Sequence, residues 1–191
     1  MQKFSAAAIP VLLATLFVAA CSDPDPAPER AISALLPASD GRETACAGDS
    51  FLRGRLLGAI EADIDWASAT ISCEGGQRPD GAGARLRFAR TSDDGSGLAV
   101  IIAIPGLSRR STGTEFAANV TLILEGEARF FSTQNREACW ADLHGNEPVG
   151  DHRYAIEGEL YCIAPLAEVN GSASVTIDGL DFRGLVEWGS R

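Results

Sequence analysis

The 191-residue sequence has little of the chemistry that hydrolytic enzymes use. It contains two histidines, His144 and His152, and no GxSxG, HExxH, P-loop or GxGxxG motif. The common serine-hydrolase, zinc-protease and nucleotide-binding signatures are therefore missing. CxxC or Cys/His spacings, which indicate structural zinc, are missing too. These absences argue against an enzyme and predict no cofactor.

Lysine is almost absent, since Lys3 is the one lysine among 16 basic residues and the others are arginine. Acidic residues number 26, so the formal net charge at pH 7 is −10. A chain with this charge is repelled by nucleic acid and by anionic lipid headgroups. We therefore expect no nucleic-acid partner, and we expect any membrane attachment to come from a source other than surface charge.

The N-terminal apolar segment is too short to cross a bilayer, which takes about 20 apolar residues. Residues 6–20 carry no charge, are mostly apolar and follow Lys3 closely. A short positive region followed by an apolar run of this length is typical of a signal peptide. The pattern predicts an export signal over residues 1–20.

Small residues and a cysteine end this run, in the order Val18-Ala19-Ala20-Cys21. The segment resembles the lipobox of bacterial lipoproteins, in which signal peptidase II cuts before the cysteine. The resemblance covers residues 1–21 and implies that Cys21 carries the lipid that holds the protein to the membrane. Because Ser22 follows, it further implies the outer membrane, facing the periplasm or the cell surface. The alternative is an ordinary secretory signal whose cysteine is incidental.

Proline is concentrated directly behind Cys21, in the segment Asp23-Pro24-Asp25-Pro26-Ala27-Pro28. Such a run prevents helix formation and favours an extended chain. We interpret residues 21–45 as a lipid-anchored, semi-rigid tether. Residues 46–191 have the length of a single domain.

Besides Cys21, the chain has four cysteines, which is an even number in an exported protein and predicts two disulfides. We predict the pairs Cys46–Cys73 and Cys139–Cys162, because each lies within one local block of predicted strands. The alternative is an inter-sheet bond from Cys73 to Cys139 or Cys162.

Alternation of apolar and polar residues predicts strands throughout the domain. Residues 52–66 alternate over fifteen positions, which is long for one strand. We therefore expect a kink or bulge near Gly58. The wholly apolar run 98–104 predicts a strand buried on both faces. Near the C-terminus the apolar residues change from odd-numbered to even-numbered positions, which predicts a bulge or turn at Asp178-Gly179.

No segment shows a convincing helical period, so the predicted fold class is all-β. The spacing favours a disulfide-stapled antiparallel sandwich, or jelly-roll-like fold, of about eight strands. A small barrel is the alternative.

One polar segment, residues 140–152, concentrates possible metal ligands. They are Asp142, His144, Glu147, Asp151 and His152. The competing interpretation is an exposed hairpin loop that is polar only because loops face water.

Two further candidates for ligand binding are an arginine pair and a tryptophan. Arg109 and Arg110 follow a strand-ending Pro-Gly and are candidates for binding a carboxylate, phosphate or sugar acid. The competing interpretation is a solvated loop. Trp140 is a candidate carbohydrate platform, or packs on a disulfide, whereas Trp66 and Trp188 lie on apolar faces and are predicted to be core.

Taken together, these patterns predict a lipid-anchored cell-envelope lipoprotein whose β domain is a non-enzymatic binding or structural module. Its partner would be a protein, a glycan or an apolar ligand. The first alternative is a carrier of a lipid or small apolar ligand in a barrel cavity. The second is a metal-dependent hydrolase that uses His144 and His152.

Overall fold

The computed structural model describes residues 46, 48–92, 95–134 and 136–189. Within these residues the chain is all-β, as predicted, with eleven strands and one 3-10 turn, Ser68–Thr70. The strands are Phe51–Gly58 (β1), Ala62–Ala67 (β2), Ser72–Gln77 (β3), Ala84–Thr91 (β4), Gly97–Ile104 (β5), Gly113–Glu125 (β6), Arg129–Ser132 (β7), Cys139–Gly150 (β8), Arg153–Cys162 (β9), Leu166–Glu168 (β10) and Ser174–Glu187 (β11). The predicted number of about eight was too low, because residues 52–66 form two strands and because strands as short as β10 carry too few residues to show alternation.

The strands form a single sheet whose hydrogen-bonded pairings return to their starting point. From β6 the circuit runs through β5, β4 and β3 to β11, and then through β9 and β8 back to β6. These pairings are antiparallel except between β11 and β3, which are parallel where Glu187 meets Gly76. A sheet that closes in this way and packs its inner faces together has features of both predicted architectures, the sandwich and the small barrel.

One hydrophobic core lies between the inner faces of the strands. Its largest fully buried side chains include Phe88, Phe131 and Phe182. Trp66 and Trp188 are each 5% exposed, which confirms that they belong to the core. Burying one such side chain stabilises the fold by about 1.5–3 kcal/mol, so the inner faces supply most of the driving force for closing the sheet.

Both predicted disulfides are present. Cys139 lies directly opposite Cys162 in the β8–β9 pair, and the second bond joins Cys46 to Cys73. Their sequence separations are 23 and 27 residues. Closing loops of that size stabilises a fold by about 3–4 kcal/mol on the chain-entropy model.

Residues 52–66 form a hairpin, not the single kinked strand that we predicted. β1 ends at Gly58, and β2 begins at Ala62. Leu52 lies opposite Trp66, and opposite residues in an antiparallel pair point to the same face. Even-numbered residues therefore stay on the inner face on both sides of the turn, which is why the alternation concealed it.

The two other predictions about strand geometry had different outcomes. The bulge at Asp178-Gly179 is confirmed, because these two residues of β11 lie opposite the single residue Arg55 of β1, and Gly179 has a φ of 67°. β5 is not buried equally on both faces. Its inner face is buried from Val100 to Ile104, whereas its outer face is buried at Ala99 but half-buried at Ile101 and Ala103.

Candidate ligand-binding cleft

The residues predicted to hold a metal are spread along one strand and the turn that follows it. Asp142 and His144 lie in β8, which continues to Gly150, whereas Asp151 and His152 form the turn to β9. At about 3.3 Å per residue, the six positions from His144 to Gly150 alone span about 20 Å. Within the described residues, no group of three or more His, Cys, Asp or Glu side chains is arranged to hold a metal ion.

Asp142, His144 and His152 make other contacts in the fold, the last of them through its backbone. Asp142 Oδ1 accepts a hydrogen bond from the backbone N–H of Glu115 at 2.8 Å. The imidazole of His144 is largely exposed, with Nε2 4.0 Å from Glu157 Oε1. The carbonyl of His152 accepts a hydrogen bond from the backbone N–H of Trp188 at 2.8 Å. The segment is also not the exposed loop of the competing interpretation, because most of it is strand.

Trp140 lies on the outer face of the sheet, where its ring stacks on Tyr161 with the centroids 6.1 Å apart. The neighbouring Cys139 points into the core, so Trp140 faces away from the disulfide. Desolvation, and then the negative charge of Asp142, raise the pKa of the Tyr161 phenol above its ordinary value. The pair is therefore a neutral aromatic surface beside carboxylates.

Elsewhere the outer face is covered by cross-strand ion pairs between exposed side chains. Arg53 Nε is 3.1 Å from Asp65 Oδ1, and Arg55 Nε is 3.0 Å from Asp63 Oδ1. Exposed pairs of this kind contribute about 0.2–1 kcal/mol each. Each of these charges therefore already has a partner of opposite sign in the same chain.

A different arrangement is found where β3, β5 and β11 end. The β3–β4 turn, the loop between β5 and β6, and the residues after β11 line an open cleft of about 510 Å³. Besides glycines of these segments, it is lined by Gln77, Ala82, Leu107, Ser108, Arg109 and Trp188. We call it the terminal cleft. Its volume is within the range of small-molecule binding sites.

The sequence explains why the β5–β6 loop lies at this cleft. Pro105-Gly106 ends β5, and Gly106 takes a φ of 72°, a left-handed conformation that glycine adopts readily. Asn146, which is buried, then holds the loop through its Nδ2, which donates to the carbonyls of Ser108 and Ser111 at 2.9 Å each. The loop is therefore fastened to β8 by a buried amide.

The cleft brings Arg109 and Trp188 together. Arg109 Nη2 donates to the carbonyl of Gly189 at 3.0 Å, which connects the loop to the residues after β11. Trp188 forms part of the wall, and its buried indole Nε1 has no hydrogen-bond partner among the described residues.

Sequence reasoning found Arg109 but missed the rest of the cleft. Arg110, the other half of the predicted pair, is exposed, has a φ of 65° and is not part of the cleft lining among the described residues. Trp140 lies elsewhere, on the outer face. Trp188 was correctly assigned to the core, but the same side chain also forms the cleft wall. The one sequence signal for this second role of Trp188 was its position, directly before residues that no longer alternate between apolar and polar.

Two further findings do not concern the cleft. Among the described residues, no helix has the length and apolar character needed to cross a membrane. In comparisons with known proteins, no family model, curated protein or solved structure matches this chain.

Proposed function

We propose that this protein is a lipid-anchored lipoprotein of the cell envelope, facing the periplasm or cell surface, and that its β domain is a non-enzymatic binding module. The anchor is Cys21, for which the support is the lipobox-like sequence; Cys21 and the tether of residues 21–45 lie outside the described residues. Two disulfides are consistent with an oxidising compartment such as the periplasm.

The terminal cleft is the observation that carries the binding role. Loops that follow strand ends are common locations for binding sites, because a rigid sheet positions them. Here Asn146 fastens the β5–β6 loop to the sheet, and the Arg109–Gly189 hydrogen bond joins that loop to the residues after β11. A cleft whose walls are already held in place loses little entropy on binding a ligand.

The two alternatives have less support. The hydrolase requires His144 and His152 to act together, whereas β8 extends between them. The carrier requires interior space, whereas the inward-facing Phe88, Phe131 and Phe182 are fully buried within the core cluster. We therefore favour a ligand bound at the end of the sheet.

The anchor is tested by expressing the full chain in a bacterium with a clickable palmitate analogue. We expect label in the wild type and in Ser22→Ala, which leaves Cys21 in place, and none in Cys21→Ser. We also expect Cys21→Ser to leave the membrane fraction after a high-salt wash without loss of folding. Labelled Cys21→Ser protein, or an unlabelled wild type, would contradict the anchor.

The binding role is tested by thermal unfolding of the mature chain against a panel of sugars, amino acids and sugar acids. The matched variant is Ala82→Trp, which places an indole in the cleft from an exposed turn position. A ligand at one hundred times its Kd stabilises the native state by about 2.7 kcal/mol. We expect such stabilisation in the wild type and not in Ala82→Trp, and equal stabilisation of both would exclude the cleft.

A further inference from the structure

The arginine of the terminal cleft is one of six described arginines that form no ion pair, and among these it is the one that lines the cleft. Six arginines form ion pairs with carboxylates: Arg53, Arg55, Arg78, Arg87, Arg129 and Arg183. In the part of the chain that the structure describes, no ion pair engages Arg109. Its one hydrogen bond, from Nη2 to the carbonyl of Gly189, uses one of five N–H donors. The guanidinium is thus positioned, and most of its donors are available to a ligand.

Trp188 forms part of the cleft wall, next in sequence to the Gly189 carbonyl that Arg109 binds. It is 5% exposed, lines the cleft and has an indole N–H without an acceptor among the described residues. Burying a donor without an acceptor costs free energy, and the large majority of buried side-chain polar atoms in proteins are satisfied. Because the Nε1 atom is itself buried, a ligand in the cleft would contact the ring of Trp188.

The charge of the cleft indicates which anion fits. Arg109 is the one charged side chain among the described lining residues. A single guanidinium matches the single charge of a carboxylate better than the charge of a phosphate, which approaches two at neutral pH. Gln77 and Ser108 add amide and hydroxyl groups that suit ligand hydroxyls, and Leu107 adds an apolar surface beside the indole.

We propose that the terminal cleft binds a small hydroxylated carboxylic acid, of the sugar-acid class. Arg109 holds the carboxylate, and the ring of Trp188 forms the wall beside the ligand. This inference rests on the proposed binding role and specifies its ligand chemistry. A volume of about 510 Å³ accommodates one or two sugar rings.

The direct test follows the three indole N–H signals of the full mature chain in detergent by ¹H–¹⁵N NMR. Trp188→Phe assigns its signal, and the other two tryptophans are internal controls, because Trp66 lines a separate cleft and Trp140 lies on the outer face. D-glucuronate should shift the Trp188 signal saturably and leave the others in place. D-glucose and inorganic phosphate at the same concentration should shift none of the three.

Each other outcome overturns part of the proposal. An unmoved Trp188 signal with glucuronate removes the site. An equal response to glucose removes the role of the carboxylate, and an equal response to phosphate removes the choice of anion. If glucuronate binds but Cys21 is not lipidated, the anchor alone is wrong; if Cys21 is lipidated and nothing binds, the ligand class is wrong.

The role of Arg109 is tested against its neighbour, because Arg109→Gln and Arg110→Gln remove the same charge from adjacent positions. Both side chains are exposed, so neither substitution should unfold the domain. We expect Arg109→Gln to weaken glucuronate binding at least tenfold and Arg110→Gln to change it less than twofold. Arg109→Lys should recover part of the affinity. Equal weakening by both Gln variants would show that only general electrostatic attraction is involved.

Discussion

The outer face of β8 and β9 and the terminal cleft contain similar residue types, but they use them differently. On the outer face Asp142 accepts a backbone N–H and Trp140 stacks on Tyr161. In the cleft, Arg109 keeps most of its donors and the indole N–H of Trp188 has no acceptor within the described residues. The comparison teaches that a polar or aromatic residue marks a candidate site only when the fold leaves part of its bonding capacity unused.

The largest expected effect is a loss of stability in the strands without a loss of binding in the cleft. Replacing Cys139 and Cys162 together with Ala removes the bond across β8 and β9, and should lower the free energy of unfolding by about 3 kcal/mol. Urea unfolding followed by circular dichroism measures this. Glucuronate affinity should be unchanged under conditions where the variant is folded, and a parallel loss of affinity would show that the two regions are coupled.

A smaller loss of stability is expected where the two regions meet, at Asn146. Asn146→Ala removes both hydrogen bonds to the β5–β6 loop and should cost about 1–3 kcal/mol. Because that loop carries Arg109, glucuronate binding should weaken as well. The control is Glu147→Ala, an exposed neighbour on the same strand, for which we expect little change in either quantity. Unaltered affinity in Asn146→Ala would mean that the loop needs no such attachment.

Glu168 tests a charge that the fold does match. Its Oε1 accepts a hydrogen bond from Arg129 Nε at 2.7 Å, and this bond is the main reason why the pKa of Glu168 is lowered from its ordinary value of 4.5. A lowered folded-state pKa stabilises the protein above the unfolded-state value, and that stability is lost as the pH falls through the folded-state pKa.

The pH dependence of unfolding measures this contribution. Between pH 6 and pH values below 4.5, the melting temperature of the wild type should fall more steeply than that of Glu168→Gln. Glu127→Gln is the control, because its carboxylate is 3.6 Å from the same guanidinium but more exposed. Identical slopes in the wild type and Glu168→Gln would contradict the assignment.

The smallest effect is expected from an exposed ion pair on the outer face. A double-mutant cycle with Arg55→Ala and Asp63→Ala should give a coupling energy below about 0.5 kcal/mol, because both side chains are more than half exposed. The coupling should decrease further in high salt. A value above about 1 kcal/mol would show that matched charges on this face contribute more than exposure allows.

Much of the fold could be predicted, because alternation and cysteine spacing are local signals. These signals predicted the all-β fold class, both disulfides and the bulge at Asp178-Gly179. The β1–β2 turn could not be recognised, because a symmetrical hairpin preserves the parity of its inner residues. The strand order was equally inaccessible, since the parallel β11–β3 pairing joins residues more than 100 positions apart.

The candidate site was only partly predictable, for a related reason. A pair of arginines after a Pro-Gly stop indicated a surface loop, and Arg109 does lie in one. Nothing local distinguished it from Arg110, because the difference depends on which side chain reaches Gly189, 80 positions further along the chain. The polar segment 140–152 suggested a metal cluster because its residues are close in sequence, but an extended strand separates such neighbours.

The sequence by itself determined the all-β fold class and the two disulfides, because side-chain alternation and cysteine spacing are visible in short stretches of chain. It also carries the lipobox-like segment that underlies the proposed anchor. Only the tertiary structure decided which polar groups remain without partners, because hydrogen bonding depends on contacts between distant segments. That is why the terminal cleft, assembled from three segments, became visible only after the sheet had closed.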